Sequence, residues 1–135
     1  MKILCFAFVL FFSITTASVA QDAPKSLSPE TAKQCLELTR LMAKNLYLYD
    51  AEYLKLKTLN EKTMLTVQEI YSQYQNAPTL QEAKLKEATS EFKNELVKIL
   101  DKQQQVAFAN YPINASLWLD TPQAIKAMTR AGLEK

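Results

Sequence analysis

The chain has 135 residues, with 16 Lys+Arg, 14 Asp+Glu, no histidine and one glycine, Gly132. Without imidazole there is no Ser-His-Asp or Cys-His nucleophile, no His base and no His metal ligand. Without earlier glycines there is no phosphate cradle, the near-even charge is no nucleic-acid footprint, and 48% hydrophobic residues describe a folded domain.

Met1 to Ala20 reads as a secretory signal. Lys2 makes the start positive, Ile3 to Ile14 is almost wholly apolar, and Ser18-Val19-Ala20 supplies small residues for a peptidase. The competing reading is a membrane anchor, but the apolar run falls short of the ~20 residues that span a bilayer. Cleavage would remove Lys2 and Cys5 and leave Cys35 as the only thiol. On an apolar helix face, Cys35 is read as a small buried residue; a disulfide to a second chain is the alternative. About 115 residues remain, enough for one domain without staples.

Residues 21–28 form a polar tether, and residues 29–135 a single helical domain. Ser28-Pro29-Glu30 is a helix start, with Ser as N-cap and Pro in the first turn. The first helix is expected to reach about Tyr47, with Cys35, Leu38, Met42 and Leu46 on one face. The second starts near Tyr49 or Asp50 and runs to about Gln75. Tyr53, Leu56, Leu59, Val67, Ile70, Tyr71 and Tyr74 make its stripe, with Met64 at the edge. Leu54 and Leu65 lie on the opposite face.

Asn76-Ala77-Pro78 ends that helix, since the residue before proline is pushed away from helical geometry. Thr79 to Glu82 reads as a capping box opening the third helix, which runs to about Leu100. Leu85, Ala88, Phe92, Leu96 and Ile99 form its apolar stripe. Asp101 to Gln104 is a second capping box and starts a short helix carrying Val106, Phe108 and Tyr111. Residues 112–120 are an irregular apolar stretch with Trp118. Thr121-Pro122 opens a C-terminal helix over 121–131, with Gly132 as the residue that ends it. The expected fold is all-α: a long antiparallel helical hairpin with shorter flanking helices, four to five in total.

Little in this pattern carries chemistry. Glu87 with Glu91, and Glu91 with Glu95, lie on a charged face where solvent keeps carboxylates ordinary. Asn114-Ala115-Ser116 has the form of a glycosylation acceptor, relevant only in a eukaryotic host. The chain is therefore read as not an enzyme, with no catalytic residue, no cofactor and no metal. Five of the six tyrosines lie between residues 47 and 74. Tyr and Met offer broad, adaptable contact area. The candidate protein-binding surface is Tyr47, Tyr49, Leu54, Leu65 and Met64.

Leu48-Tyr49-Asp50-Ala51-Glu52 and Leu100-Asp101-Lys102-Gln103-Gln104 share a form: Leu, a cap position, two residues, then Glu or Gln. This resembles the Leu-Thr-x-x-Gln motif of the Spy/CpxP-like periplasmic proteins. Tyr49 and Asp101 stand where the motif has Thr, and Glu52 where it has Gln. The similarity covers roughly residues 38 to 108. It implies a helical hairpin, often paired into a curved dimer that holds unfolded clients without ATP. The expected function is thus an exported, chaperone-like or stress-related protein-binding module of the cell envelope. The alternative is a dedicated interaction or inhibitory protein docking on one envelope partner. Expected partners are unfolded or partner proteins, with a homodimer allowed, no nucleic acid, and no stable membrane span after cleavage. The expected location is the periplasm or the exterior.

Overall fold

The computed structural model describes residues 25–133, with side chains through Arg130. Residues 1–20, read from the sequence as a signal, and residues 21–24 of the expected tether lie outside the described residues. The fold is all-α, with no strand among the described residues. Among the described residues six helices follow in order: α1 Pro29–Asn45, α2 Asp50–Gln73, α3 Pro78–Ile99, α4 Lys102–Ala109, α5 Ser116–Leu119 and α6 Thr121–Leu133. No helix among the described residues is long and apolar enough to cross a membrane.

The sixth helix comes from the stretch read as irregular. Residues 116–119 close one helical turn, with the Asn114 side chain accepting from the Ser116 N–H at 2.9 Å. The last helix also runs past its expected end. Gly132 lies inside α6, which runs to Leu133, rather than after it, and does not take the left-handed conformation of a helix-ending C′ residue. The Thr79 to Glu82 box is not formed either. α3 already begins at Pro78, whose fixed φ suits the first helical position, so Ala77 is the N-cap and no side chain caps it.

α2 is the central element. It packs antiparallel on α3 across the tight turn at residues 74–77, on α1 along another flank, and on α5; α6 lies over α1 and α5. The core holds Cys35, Leu38, Met42 and Leu46 of α1 and its end, Leu56, Met64, Val67 and Ile70 of α2, Ala88, Phe92 and Leu96 of α3, and Leu117 and Trp118 of α5. Three neighbours widen the buried arc of α2 beyond what one hairpin partner needs. Met64, placed on the candidate surface, is therefore fully buried and offers the folded chain no contact area. Tyr71, placed inward, is 53% exposed, on the wall of a groove that α5 leaves open. Val106 is exposed as well; α4 turns a different face inward, carrying Gln104.

The core contains polar groups, each supplied with a partner. Thr39, Thr63, Thr89 and Thr121 all donate their hydroxyls to the carbonyl four residues back, at 2.7–2.8 Å. A buried hydroxyl left unpaired costs about 1–3 kcal/mol, so this local bond lets Thr sit where Val would. Asn60, with no exposure, is the central node. Its amide donates to Thr39 Oγ1 at 3.0 Å, and its carbonyl accepts the indole N–H of Trp118 at 3.2 Å. The Trp118 ring meets Phe92 edge-on, with centroids 4.8 Å apart and planes at 66°. One asparagine thus ties α1, α2 and α5 together. Among the described residues no buried side-chain polar atom lacks a partner.

Among the described residues, ion pairs lie on the surface, including Lys62 to Glu91 across the α2–α3 hairpin and Lys25 to Glu69 at the start of the described chain. Exposed pairs contribute about 0–1 kcal/mol each, so apolar burial holds the fold.

Burial gives the domain an alkaline limit. It pushes the Cys35 thiol up to about 11, with the Glu61 carboxylate adding to the effect. It pushes the Tyr111 phenol up to about 12; that hydroxyl donates to Met128 Sδ, tying the α4–α5 link to α6. Both groups stay neutral in the fold while the unfolded chain ionises first. Their stability is fully present below the unfolded values and is lost as pH rises through the folded ones. Urea unfolding should show the midpoint falling above pH ~9, with Cys35→Ala removing the earlier part. A flat midpoint to pH ~11 would refute this assignment.

Candidate functional site

The corner between α1 and α2 is built on an unusual backbone choice. α1 closes with two bonds, Leu48 N–H to Ala43 O at 2.9 Å and Tyr47 N–H to Lys44 O at 3.4 Å. This is the Schellman arrangement, which needs its C′ residue in the left-handed region and usually places Gly there. Here the residue is Tyr47, with φ 56°, the only non-glycine among the described residues at positive φ. A side chain with a Cβ in that region costs about 1–2 kcal/mol. The Tyr47 ring recovers nothing by burial, since it is 76% exposed.

The next turn sets Tyr49 beside it. Tyr49 is the N-cap of α2, with extended φ/ψ. Its phenol is at the far end of a rigid ring and cannot fold back on the helix start. Only the return half of a capping box forms: Glu52 Oε2 accepts the Tyr49 N–H at 2.9 Å. The Tyr49 side chain is thereby left free and is 72% exposed.

Gln104 locks this corner to α4. Its carbonyl accepts the Asp101 N–H at 2.8 Å while Asp101 Oδ1 accepts the Gln104 N–H at 2.8 Å, a complete capping box. Its amide nitrogen, turned the other way, donates to Glu52 Oε2 at 2.7 Å and to Tyr47 O at 3.1 Å. The last residues of the two five-residue motifs are thus joined directly. Gln104 is 4% exposed, and its side-chain carbonyl and amide are both used. It positions the carbonyl of the strained residue and the cap of α2 at once.

Gln104→Ala should lower stability by about 1–2 kcal/mol through the lost cap and bridge. Gln104→Glu should be worse at neutral pH, because it sets a second carboxylate against Glu52. That extra loss should shrink as acid protonates the pair, which urea unfolding at neutral and acidic pH will check. An equal loss at both would argue against the Glu52 contact.

Of the sequence candidates, the structure brings Tyr47 and Tyr49 together at the corner. Leu54 is 62% exposed one turn into α2. Leu65 is half-buried and three turns further along the helix. Met64 is in the core, as above. Sequence reasoning passed over Gln104 as a bridge and Asn60 as a node. Asn60 did carry a signal: it sits four residues from both Leu56 and Met64, within the apolar arc, where a polar side chain requires a buried partner.

A concavity lies away from the corner. A groove of about 370 Å³ runs between the α2 face carrying Gln68, Tyr71, Ser72 and Gln75 and the Trp118-Leu119 edge of α5. Among the described residues no charged side chain lines it. Among the described residues no three His, Cys, Asp or Glu side chains are grouped to hold a metal ion. No protein-family model, curated protein or solved structure matches this chain.

Proposed function

We propose that this chain is an exported protein-binding module of the cell envelope that holds unfolded or partner proteins without ATP and without catalysis. The observation that carries the reading is Tyr47, an exposed aromatic at a left-handed position that glycine would occupy at less cost. Local strain that persists without a packing gain points to a use for the side chain. Tyr49 presents a second exposed ring beside it, and Tyr is well suited to contact because it has few rotors and one polar tip. The resemblance of the two motifs to the Spy/CpxP-like proteins supports the same reading, as does the signal-like start of the sequence.

The test is the purified chain from residue 21 mixed with an aggregating model substrate, with its mass in solution measured alongside. Suppression at near-stoichiometric amounts by a dimer is expected. A monomer that leaves aggregation unchanged would sink the proposal. Tyr47→Gly separates function from fold. It should raise stability by about 1 kcal/mol, since glycine adopts positive φ freely, yet weaken suppression. A stabilised variant with full suppression would remove Tyr47 from the contact surface.

A further inference from the structure

The described chain begins close to the groove between α2 and α5. Residues 25–28 form no helix, Leu27 is partly buried against the core, and Lys25 Nζ meets Glu69 Oε1 at 2.7 Å. An exposed ion pair contributes little, so this one marks where the chain runs more than it holds it there. α1 and α2 are antiparallel, with Thr39 at Asn60 and Lys25 at Glu69, so the chain before Lys25 heads toward the end of α2. The groove residues Ser72 and Gln75 lie in that direction, roughly 4.5 and 9 Å beyond Glu69 at the helical rise. Residues 21–24, Gln-Asp-Ala-Pro, span up to about 13 Å when extended. Pro24 has a fixed φ and the residue before a proline is pushed into extended geometry, which makes Ala23-Pro24 a stiff, extended pair.

We propose that residues 21–24 occupy this groove, with Ala23-Pro24 on Tyr71 and Leu119, so that the chain covers the groove with its own segment. Trp118 keeps its place in the core. The chemistry of the two sides matches. Tyr71 and Leu119, 53% and 40% exposed, offer apolar walls to a prolyl ring, as aromatic-lined grooves do for extended Pro-containing segments. Gln68 and Gln75 carry amide donors for the carbonyls of an extended segment, which has no helical bonds of its own. Asp22, about 10 Å from Lys25 at full extension, reaches the outer end of the uncharged lining. An attached segment meets such a site at an effective concentration on the order of millimolar, so even a weak contact is filled ahead of a free peptide. The inference does not rest on the protein-binding reading. It leaves the Tyr47–Tyr49 corner, at the opposite end of α2, as the face for partners.

Disulfide trapping in the chain begun at residue 21 tests this. Ala23→Cys is combined with Ser72→Cys on the groove wall, or with Gln73→Cys, an exposed neighbour outside the lining. The two partner positions are equally within reach of the segment but point about 100° apart round the helix. Cys35 is buried and does not compete. Under mild oxidation the 23–72 disulfide should form at least about tenfold faster than the 23–73 one, within a monomer by mass. Tyr71→Ser, which removes an exposed wall, should slow the first reaction several-fold and leave the second unchanged. Equal rates at 72 and 73, or a 23–72 rate indifferent to Tyr71→Ser, would mean that the segment only passes nearby, and would overturn the proposal. A disulfide formed between two chains would overturn it in favour of a second copy in the groove. None of these outcomes depends on suppression of aggregation, so the protein-binding reading stands or falls separately.

Discussion

Phe92→Ala is expected to be the most damaging single change in this domain, at about 3–5 kcal/mol. Phe92 is the largest of the fully buried side chains and lies where α3 meets α2 and Trp118. Its removal forfeits the transfer free energy of the ring and leaves a cavity that helices fixed by other contacts cannot close. It also removes the edge-on contact with Trp118, worth about 0.5–1.5 kcal/mol beyond area. A domain of this size has about 5–15 kcal/mol in total, so the variant should be marginal at 37 °C. Urea unfolding at low temperature measures the loss. Phe92→Leu, which keeps most of the volume, should cost well under half as much. Similar losses from the two variants would show that the site collapses and that the ring itself contributes little.

The second large effect is at Asn60. Asn60→Ala should cost about 2–4 kcal/mol, although asparagine is neither large nor a good helix former. The loss comes from what it strands. The Trp118 indole N–H would be buried without an acceptor, and Thr39 would lose the amide donor that links α1 to α2. Trp118→Phe removes the other end of the same bond while keeping an aromatic ring. A double-mutant cycle between the two should therefore show clear non-additivity. Additive losses would mean that the 3.2 Å contact contributes no more than packing. Changes in Trp118 near-UV signal should accompany Asn60→Ala, since the same bond fixes the ring.

These two residues show how far local patterning reaches. Phe92 was legible: it lies in an apolar stripe of α3 at spacings of three and four, and such a stripe must face a core. Trp118 was not placed by its surroundings, because a one-turn helix is too short to show a period. Asn60 was passed over because periodicity is read from apolar residues, and a polar one inside the stripe looks like noise. Its role appears only when a residue 58 positions away supplies the donor. At the candidate site the split is similar. The exposure of Tyr47 and Tyr49 followed from their position at a corner, and the Asp101 to Gln104 box formed as its residues suggest. The bridge from Gln104 to Glu52 spans 52 residues and has no local signature. Met64 failed for a related reason: a stripe's edge is surface or core according to how many helices surround it.

What the sequence determined by itself is the all-α class, most of the helix starts, and the set of apolar side chains that had to be hidden. Those depend on caps, prolines and the 3.6-residue period, all of which act within about one or two turns. What only the tertiary structure decided is which flanks of α2 are covered, how a single asparagine joins three helices, and how Gln104 ties α4 to the Tyr47 carbonyl and Glu52. Each of these is set by contacts between segments far apart in the chain, where buried polar groups must find partners and strain is tolerated only because neighbouring bonds hold it.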